Sequence, residues 1–313
     1  MKYIVKKVLT LIITLLIVSL LAFLAFSVIP GDPTTKMLGT EATEEAKAAL
    51  RAELGLDRPV FVRYIDWLFS FIGGDFGTSY NYNMPVSEML ADKLPITAAL
   101  TVMGFALTVI IALPLGLLAG SIKNKAADTA TTAANQVVMS IPAFFIGIMI
   151  CYLCGNVLKM FVPGMFVSYT ENPAEFVKYL SFAALSIAIP RAAMTIKMLK
   201  GSISSEMAKN YVITATSRGN SKVMVLIKHV FKNALVPVIS FLAVSLAEIM
   251  TGAIIIEQVF TIPGIGRLLL SSISSRDFPV VLAIVVIMAS WIVIINFVAD
   301  VLYQLIDPRI RIK

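Results

Sequence analysis

Few side chains among these 313 residues could do chemistry, and most of them lie in apolar surroundings. The single histidine, His229, has no second imidazole with which to hold a metal. No Gly-x-Ser-x-Gly elbow accompanies it for nucleophilic catalysis. Cys151 and Cys154 form a C-x-x-C pair, a spacing used in redox chemistry or as half of a zinc site. With no second pair, and inside an apolar run, they read as buried small hydrophobes. No Gly-Lys dipeptide occurs among the 17 glycines, so the chain lacks a phosphate-cradling Walker loop. Neither a metal site nor a catalytic constellation is expected, and an integral membrane enzyme would need polar clusters that are absent.

Two ionisable residues do stand inside apolar stretches. Glu248 falls near the middle of one, where a charge costs roughly 2.5–3.5 kcal/mol on insertion scales. It is expected to face a bundle interior or a water-filled path, the alternative being a protonated carboxyl in a structural hydrogen bond. Arg191, in the inner half of the preceding stretch, can pair with it or snorkel.

The elements that carry these residues follow from composition. The chain is 58% hydrophobic and only 14% charged, with a mean hydropathy of +0.88. Soluble domains carry about 25% charged residues, so a water-soluble globule is excluded. A membrane helix needs about 20 mostly apolar residues, and six are expected near 8–29, 98–120, 134–157, 179–199, 235–256 and 279–302. The first is preceded by Lys2, Lys6 and Lys7 as a secretory signal would be, but its apolar run is too long and it lacks a small-residue cleavage site. It reads as an uncleaved anchor. With both termini inside, fifteen basic residues face the cytoplasm against Asp128, Glu206 and Asp307. The opposite side has ten basic and thirteen acidic residues. The positive-inside rule thus gives an N-in, C-in orientation, and the net charge of +7 needs no nucleic acid. The fold class is all-α: a polytopic membrane protein of six transmembrane helices with an extracytoplasmic helical insertion between the first two.

That insertion, 30–95, should begin with a helix capped by Thr43, with Glu44 and Glu45 in its first turn, Ala46, Ala49, Leu50 and Leu54 on one face, and Gly55 as its stop. A second amphipathic stretch runs from Val60 to Ile72, followed by a Gly73-Gly74 turn. The domains are therefore an anchor at 1–29, the insertion at 30–95, and a core at 96–313. The core contains a cytoplasmic hairpin at about 200–236: a helix over 204–217, a break at Gly219-Asn220, and a second helix from Ser221. Val223, Leu226, Ile227, Val230 and Phe231 keep helical spacing there, so either the protein's own spans or a partner covers that face. Ala112, Gly116 and Gly120 permit close helix contact, while Pro114, Pro142 and Pro190 can loosen their spans locally.

A resemblance runs nearly end to end. The chain resembles the inner-membrane permease subunits of binding-protein-dependent ABC importers, specifically the first permease of the oligopeptide/dipeptide/nickel group. It is carried by Pro30-Gly31-Asp32-Pro33, Leu54-Gly55-Leu56-Asp57-Arg58-Pro59, Gly74-Asp75-Phe76-Gly77, Leu94-Pro95-Ile96-Thr97 and Ser140-Ile141-Pro142-Ala143-Phe144-Phe145. The hairpin is the most diagnostic piece: Tyr211-Val212, Thr214-Ala215, Gly219, His229, Asn233-Ala234-Leu235 and Pro237. Gly252-Ala253, Glu257-Gln258-Val259-Phe260, Pro263-Gly264-Ile265-Gly266 and Asp307-Pro308-Arg309 complete it. Asn210 stands where the family usually has an acidic residue, and Thr216 where an arginine is usual.

The resemblance implies a permease subunit of an ATP-driven importer in the cytoplasmic membrane of a prokaryote, not itself an enzyme. Glu206, Tyr211, Val212, Ala215, Gly219, His229 and Asn233 would couple it to ATPases, with Ala215 small enough for close approach and Gly219 free to turn sharply. Glu248 and Arg191 are candidates for the translocation path. The implied partners are a homologous second permease, two ABC ATPase subunits holding ATP and Mg, an extracytoplasmic solute-binding protein, membrane lipid and a peptide-like substrate. No cofactor is expected in this chain. Nickel-chelate or glutathione import remains open within the family, and an ion-coupled secondary transporter outside it.

Overall fold

In the computed structural model, residues 2–28, 33–39, 42–53 and 55–306 are described. Pro30-Gly31-Asp32, Leu54 and Asp307-Pro308-Arg309, quoted above, lie outside them. The described residues form helices joined by turns, with an isolated bridge between Thr78 and Pro85. In chain order the helices are α1 (Lys2–Val28), α2 (Pro33–Leu38), α3 (Glu44–Glu53), α4 (Val60–Ile72), α5 (Val86–Ala91), α6 (Leu94–Ser121) and α7 (Lys125–Ser140). They continue as α8 (Ala143–Ile150), α9 (Pro173–Met207), α10 (Asn210–Ser217), α11 (Lys222–Val225), α12 (Phe231–Val259), α13 (Ile265–Ser274) and α14 (Phe278–Ile306). Wider π-helical turns, Cys151–Val157 and Leu226–Val230, prolong α8 and join α11 to α12.

Five helical stretches are long and apolar enough to cross a membrane. The sixth is not the straight helix expected over 134–157. That stretch is the pair α7 and Ala143–Val157, bent by 91°, which brings the count to six where the pair is taken as one broken span. The bend follows from Pro142, which removes a backbone donor and pushes the residue before it out of the helical region. Ile141 accordingly sits at φ −85°, ψ 123°. Pro114, Pro190 and Pro237 lie inside unbroken helices, as neighbouring helices permit in a membrane bundle. The fourth span is also longer than expected. It continues to Met207, so the helix expected over 204–217 is instead the end of α9 followed by the short α10.

By internal packing the chain divides into two units, 1–96 with 263–294, and 97–262 with 295–313. In the first, Phe23 of α1 packs with Tyr64 of α4 and with Leu282 and Val286 of α14. The Tyr64 hydroxyl meets Ser19 Oγ at 2.9 Å and reaches the Leu16 carbonyl at 3.2 Å, which pins α4 to α1. The expected cap forms, with the Ala46 N–H donating to Thr43 Oγ1 at 3.2 Å. The expected apolar face of α3 is not buried, however: Ala46 and Ala49 are exposed and Leu50 is half-buried. Before α14, the fully buried Asp277 accepts from Ser79 Oγ at 2.5 Å and from the Tyr80 and Asn81 N–H groups at 3.0 and 3.4 Å. One carboxylate thereby fixes the 79–81 turn.

In the second unit α9 is the central helix, with residues buried along its length from Phe176 to Ile203. The small-residue seam of α6 is real. Ala112 is fully buried, and a Cβ added at Gly116 or Gly120 would come within 2.7 Å of Leu199 or 2.9 Å of Ile203 on α9.

Candidate functional site

The hairpin between α9 and α12 is built by two helix stops. α9 ends near Ala208, and the 3.1 Å bond from the Lys209 N–H to the Glu206 carbonyl closes its last turn. α10 ends at Arg218, and Gly219 follows at φ +85° with nothing within 4 Å of a would-be Cβ. Its requirement is therefore conformational rather than spatial. Ser221 then caps α11, accepting from the Met224 N–H at 3.3 Å. Through the π turn Leu226–Val230, α11 leads without interruption into α12, so displacement of the hairpin moves a membrane-spanning helix directly.

The hairpin has two faces. Inward, Val212 and Ala215 are buried in a cluster with Leu199, Ile203, Val225, Val230 and Ala234. Ala215, expected at the point of close approach to a partner, thus packs against its own chain. Outward, Ile213, Val223, Met224 and Ile227 are exposed apolar side chains. Of the face with helical spacing, Val230, Leu226 and Phe231 pack on the chain's own helices, whereas Val223 and Ile227 are exposed. His229 is exposed on the π turn.

A polar cluster braces the elbow. The Tyr211 hydroxyl donates to Glu206 Oε2 at 2.8 Å and accepts from the Asn233 side chain, while Lys209 Nζ donates to Glu206 Oε1 at 2.5 Å. Burial raises the Tyr211 pKa, and the neighbouring Glu206 carboxylate raises it too. The Asn233 bond and the Lys209 charge act the other way without reversing the direction. Tyr211 therefore stays protonated and remains a donor. Thr216 donates within its own helix to the Val212 carbonyl at 2.8 Å. Glu206, Tyr211 and Asn233 thus come together, Val212 and Ala215 lie beneath them, and Gly219 and His229 stand apart.

Arg191 and Glu248 form an ion pair between α9 and α12, and their side chains are 26% and 49% exposed. Glu248 is therefore paired but not buried. It belongs to an exposed stripe along α12 formed by Val244, Glu248, Thr251, Ile255 and Gln258, at positions that share one helical face. The exposed stripe of α6, Val102, Ala106 and Ile110, carries no polar group. Lipid suits the α6 stripe, whereas polar side chains inside spans face water or a partner. Sequence reasoning missed a further polar seam between α7 and α9. Asp128 pairs with Lys200, whose Nζ also reaches Thr132 Oγ1 at 2.6 Å. Lys197 donates to Gln136 at 3.1 Å, and Asn135 donates to the Ala193 carbonyl at 2.8 Å. The i, i+3, i+4, i+7, i+8 spacing of 128, 131, 132, 135 and 136 was the available signal.

Sequence also missed Glu257, which is fully buried and accepts from Thr97. Cys151 and Cys154 are free and half-buried on a π turn, not fully buried as expected. Among the described residues no group of His, Cys, Asp and Glu could hold a metal.

Residues 112–312 match the family described as binding-protein-dependent transport system inner membrane component, and residues 1–101 match its N-terminal counterpart. A protein of Brucella abortus strain 2308, provisionally named a peptide transport system permease, is 33% identical over 98% of both chains. A probable peptide ABC transporter permease protein of Sinorhizobium fredii is 31% identical over 99% of both. The glutathione transport system permease protein GsiC of Salmonella typhi is 32% identical over 100% of both. A solved structure of the MetNI methionine ABC transporter in inward-facing conformations has a chain similar in fold, with a TM-score of 0.59 at 14% identity, covering 70% of this chain and 96% of that one.

Proposed function

This chain belongs to the family of binding-protein-dependent transport system inner membrane components, a transport component of the inner membrane, and we propose that it carries a peptide-like solute inward as one half of a paired path. The names of its relatives support that cargo, glutathione being itself a peptide. A homologous second permease would complete the path, and two ATPase subunits would bind the exposed face of the hairpin and hydrolyse ATP at their own sites. A solute-binding protein would deliver cargo to the side on which the 30–95 segment lies, opposite the basic loops.

The observation that carries this reading is the polar stripe on α12. A half-exposed ion pair with Thr251 and Gln258 above it suits a wet surface shared with a partner and does not suit lipid. α12 continues from the hairpin, so a push on Tyr211 and Gly219 would be transmitted to the wall of the path.

Cysteine accessibility tests this. In the assembled transporter, with Cys151 and Cys154 replaced by alanine, Thr251→Cys should react with a membrane-impermeant thiol reagent, and Ile110→Cys should not. Equal protection of both positions would mean that α12 faces lipid and would remove it from the path.

A further inference from the structure

The first unit carries an open cavity of about 880 Å³ that none of the roles above uses. Its floor is apolar: Phe23 and Phe26 from α1, Trp67 from α4, and Phe278 and Leu282 from α14. Its rim is charged and balanced, with Arg51, Arg58 and Arg63 alongside Glu53, Asp57 and Asp66. Arg58 and Asp66 satisfy one another at 3.1 Å. Arg63 is half-buried, with its guanidinium 5.9 Å from the Phe23 ring centroid, and it has no ion-pair partner among the described residues. Tyr80, held by its backbone to Asp277, brings its phenol within electrostatic reach of Arg63. Among the described residues neither the Tyr80 hydroxyl nor the Trp67 indole N–H has an acceptor. Three donors without acceptors thus line one cavity, above an aromatic floor.

We propose that this cavity binds one glycerophospholipid with a free ammonium in its headgroup. Its phosphate would sit on Arg63, Tyr80 and Trp67, its ammonium at Glu53 and Asp57, and one acyl chain over the floor. A charged guanidinium flanked by neutral donors suits a phosphate. The carboxylates beside it suit an ammonium, which separates a zwitterionic headgroup from a purely anionic one. An acyl chain is favoured over a peptide because the floor belongs to α1 and α14, the former exposing Leu9, Ile12, Ile17 and Leu21 along its length. An occupant rooted there continues into the bilayer.

The full chain, purified in mild detergent and titrated with dioleoyl phosphatidylethanolamine, should retain one such lipid by native mass spectrometry. Arg63→Ala should weaken retention about tenfold or more, the usual worth of a charge-assisted hydrogen bond. Tyr80→Phe, which keeps the ring and its packing, should weaken it severalfold and serves if Arg63→Ala fails to fold. Phosphatidylglycerol and phosphatidylcholine should bind more weakly than phosphatidylethanolamine. Unchanged retention in Tyr80→Phe, equal binding of phosphatidylglycerol, or displacement of the lipid by a dipeptide would each overturn the proposal. No transport is measured, so its failure leaves the permease reading standing, and the reverse is also true.

Discussion

Tyr211 joins the two arms of the hairpin through a single phenol. It donates to Glu206 on α9 and accepts from Asn233 on α12. Tyr211→Phe should cost about 1–2 kcal/mol of local stability, read as faster amide exchange over 209–219, with ATP consumption in the assembled complex less tightly tied to uptake. A conservative change that left both unaltered would show the cluster to be incidental. The raised pKa sets the pH dependence. A phenol whose folded pKa lies above its unfolded value contributes stability that is complete below the ordinary tyrosine value of about 10 and is lost as pH rises through the folded one. Hairpin exchange protection, corrected for intrinsic rates, should therefore be flat from pH 7 to about 9. Sequence pointed to these residues only through resemblance. Glu206 and Tyr211 are five residues apart but lie either side of a helix break, and Asn233 is on another helix, so no periodicity joins the three; the buried position of Ala215 depends on how α10 docks against α9.

Helices were legible where their patterns are local. Thr43 and Ser221 cap as their positions foretell, and Gly219 ends α10 because only a residue tolerant of positive φ follows there without strain. The 91° bend was not legible, because Pro142 looks in sequence like Pro114 and Pro190, which their helices absorb. What differs is the neighbourhood in space. Close approach gives a measurable ranking of glycines. Gly155→Ala would place a Cβ 2.5 Å from the Pro163 ring, which has no rotamer to yield, whereas Gly252→Ala meets nothing within 4 Å. Gly155→Ala should destabilise by about 1–3 kcal/mol. Gly252→Ala should be neutral or slightly stabilising, since alanine favours a helix interior over glycine. Thermal unfolding in detergent compares them, and similar melting temperatures for the two variants would contradict the close approach of Gly155 to Pro163.

At the scale of the molecule, the class was plain from composition and from the sorting of basic residues, because the bilayer imposes length and charge rules that sequence records directly. The division of labour was not, because a path shared between subunits leaves only half its lining in one chain. The half-exposed Arg191–Glu248 pair and the uncovered Ile213, Val223 and Ile227 are two open surfaces of one continuous lever. As proposed above, this chain is moved by nucleotide chemistry performed on other subunits. Reconstitution into liposomes tests that most directly, with peptide uptake followed as the second permease, ATPases and binding protein are added. Uptake should require ATP and all of these partners, and the chain alone should neither hydrolyse ATP nor accumulate peptide. Transport by the isolated chain under an ion gradient, or ATP hydrolysis by it, would contradict the account.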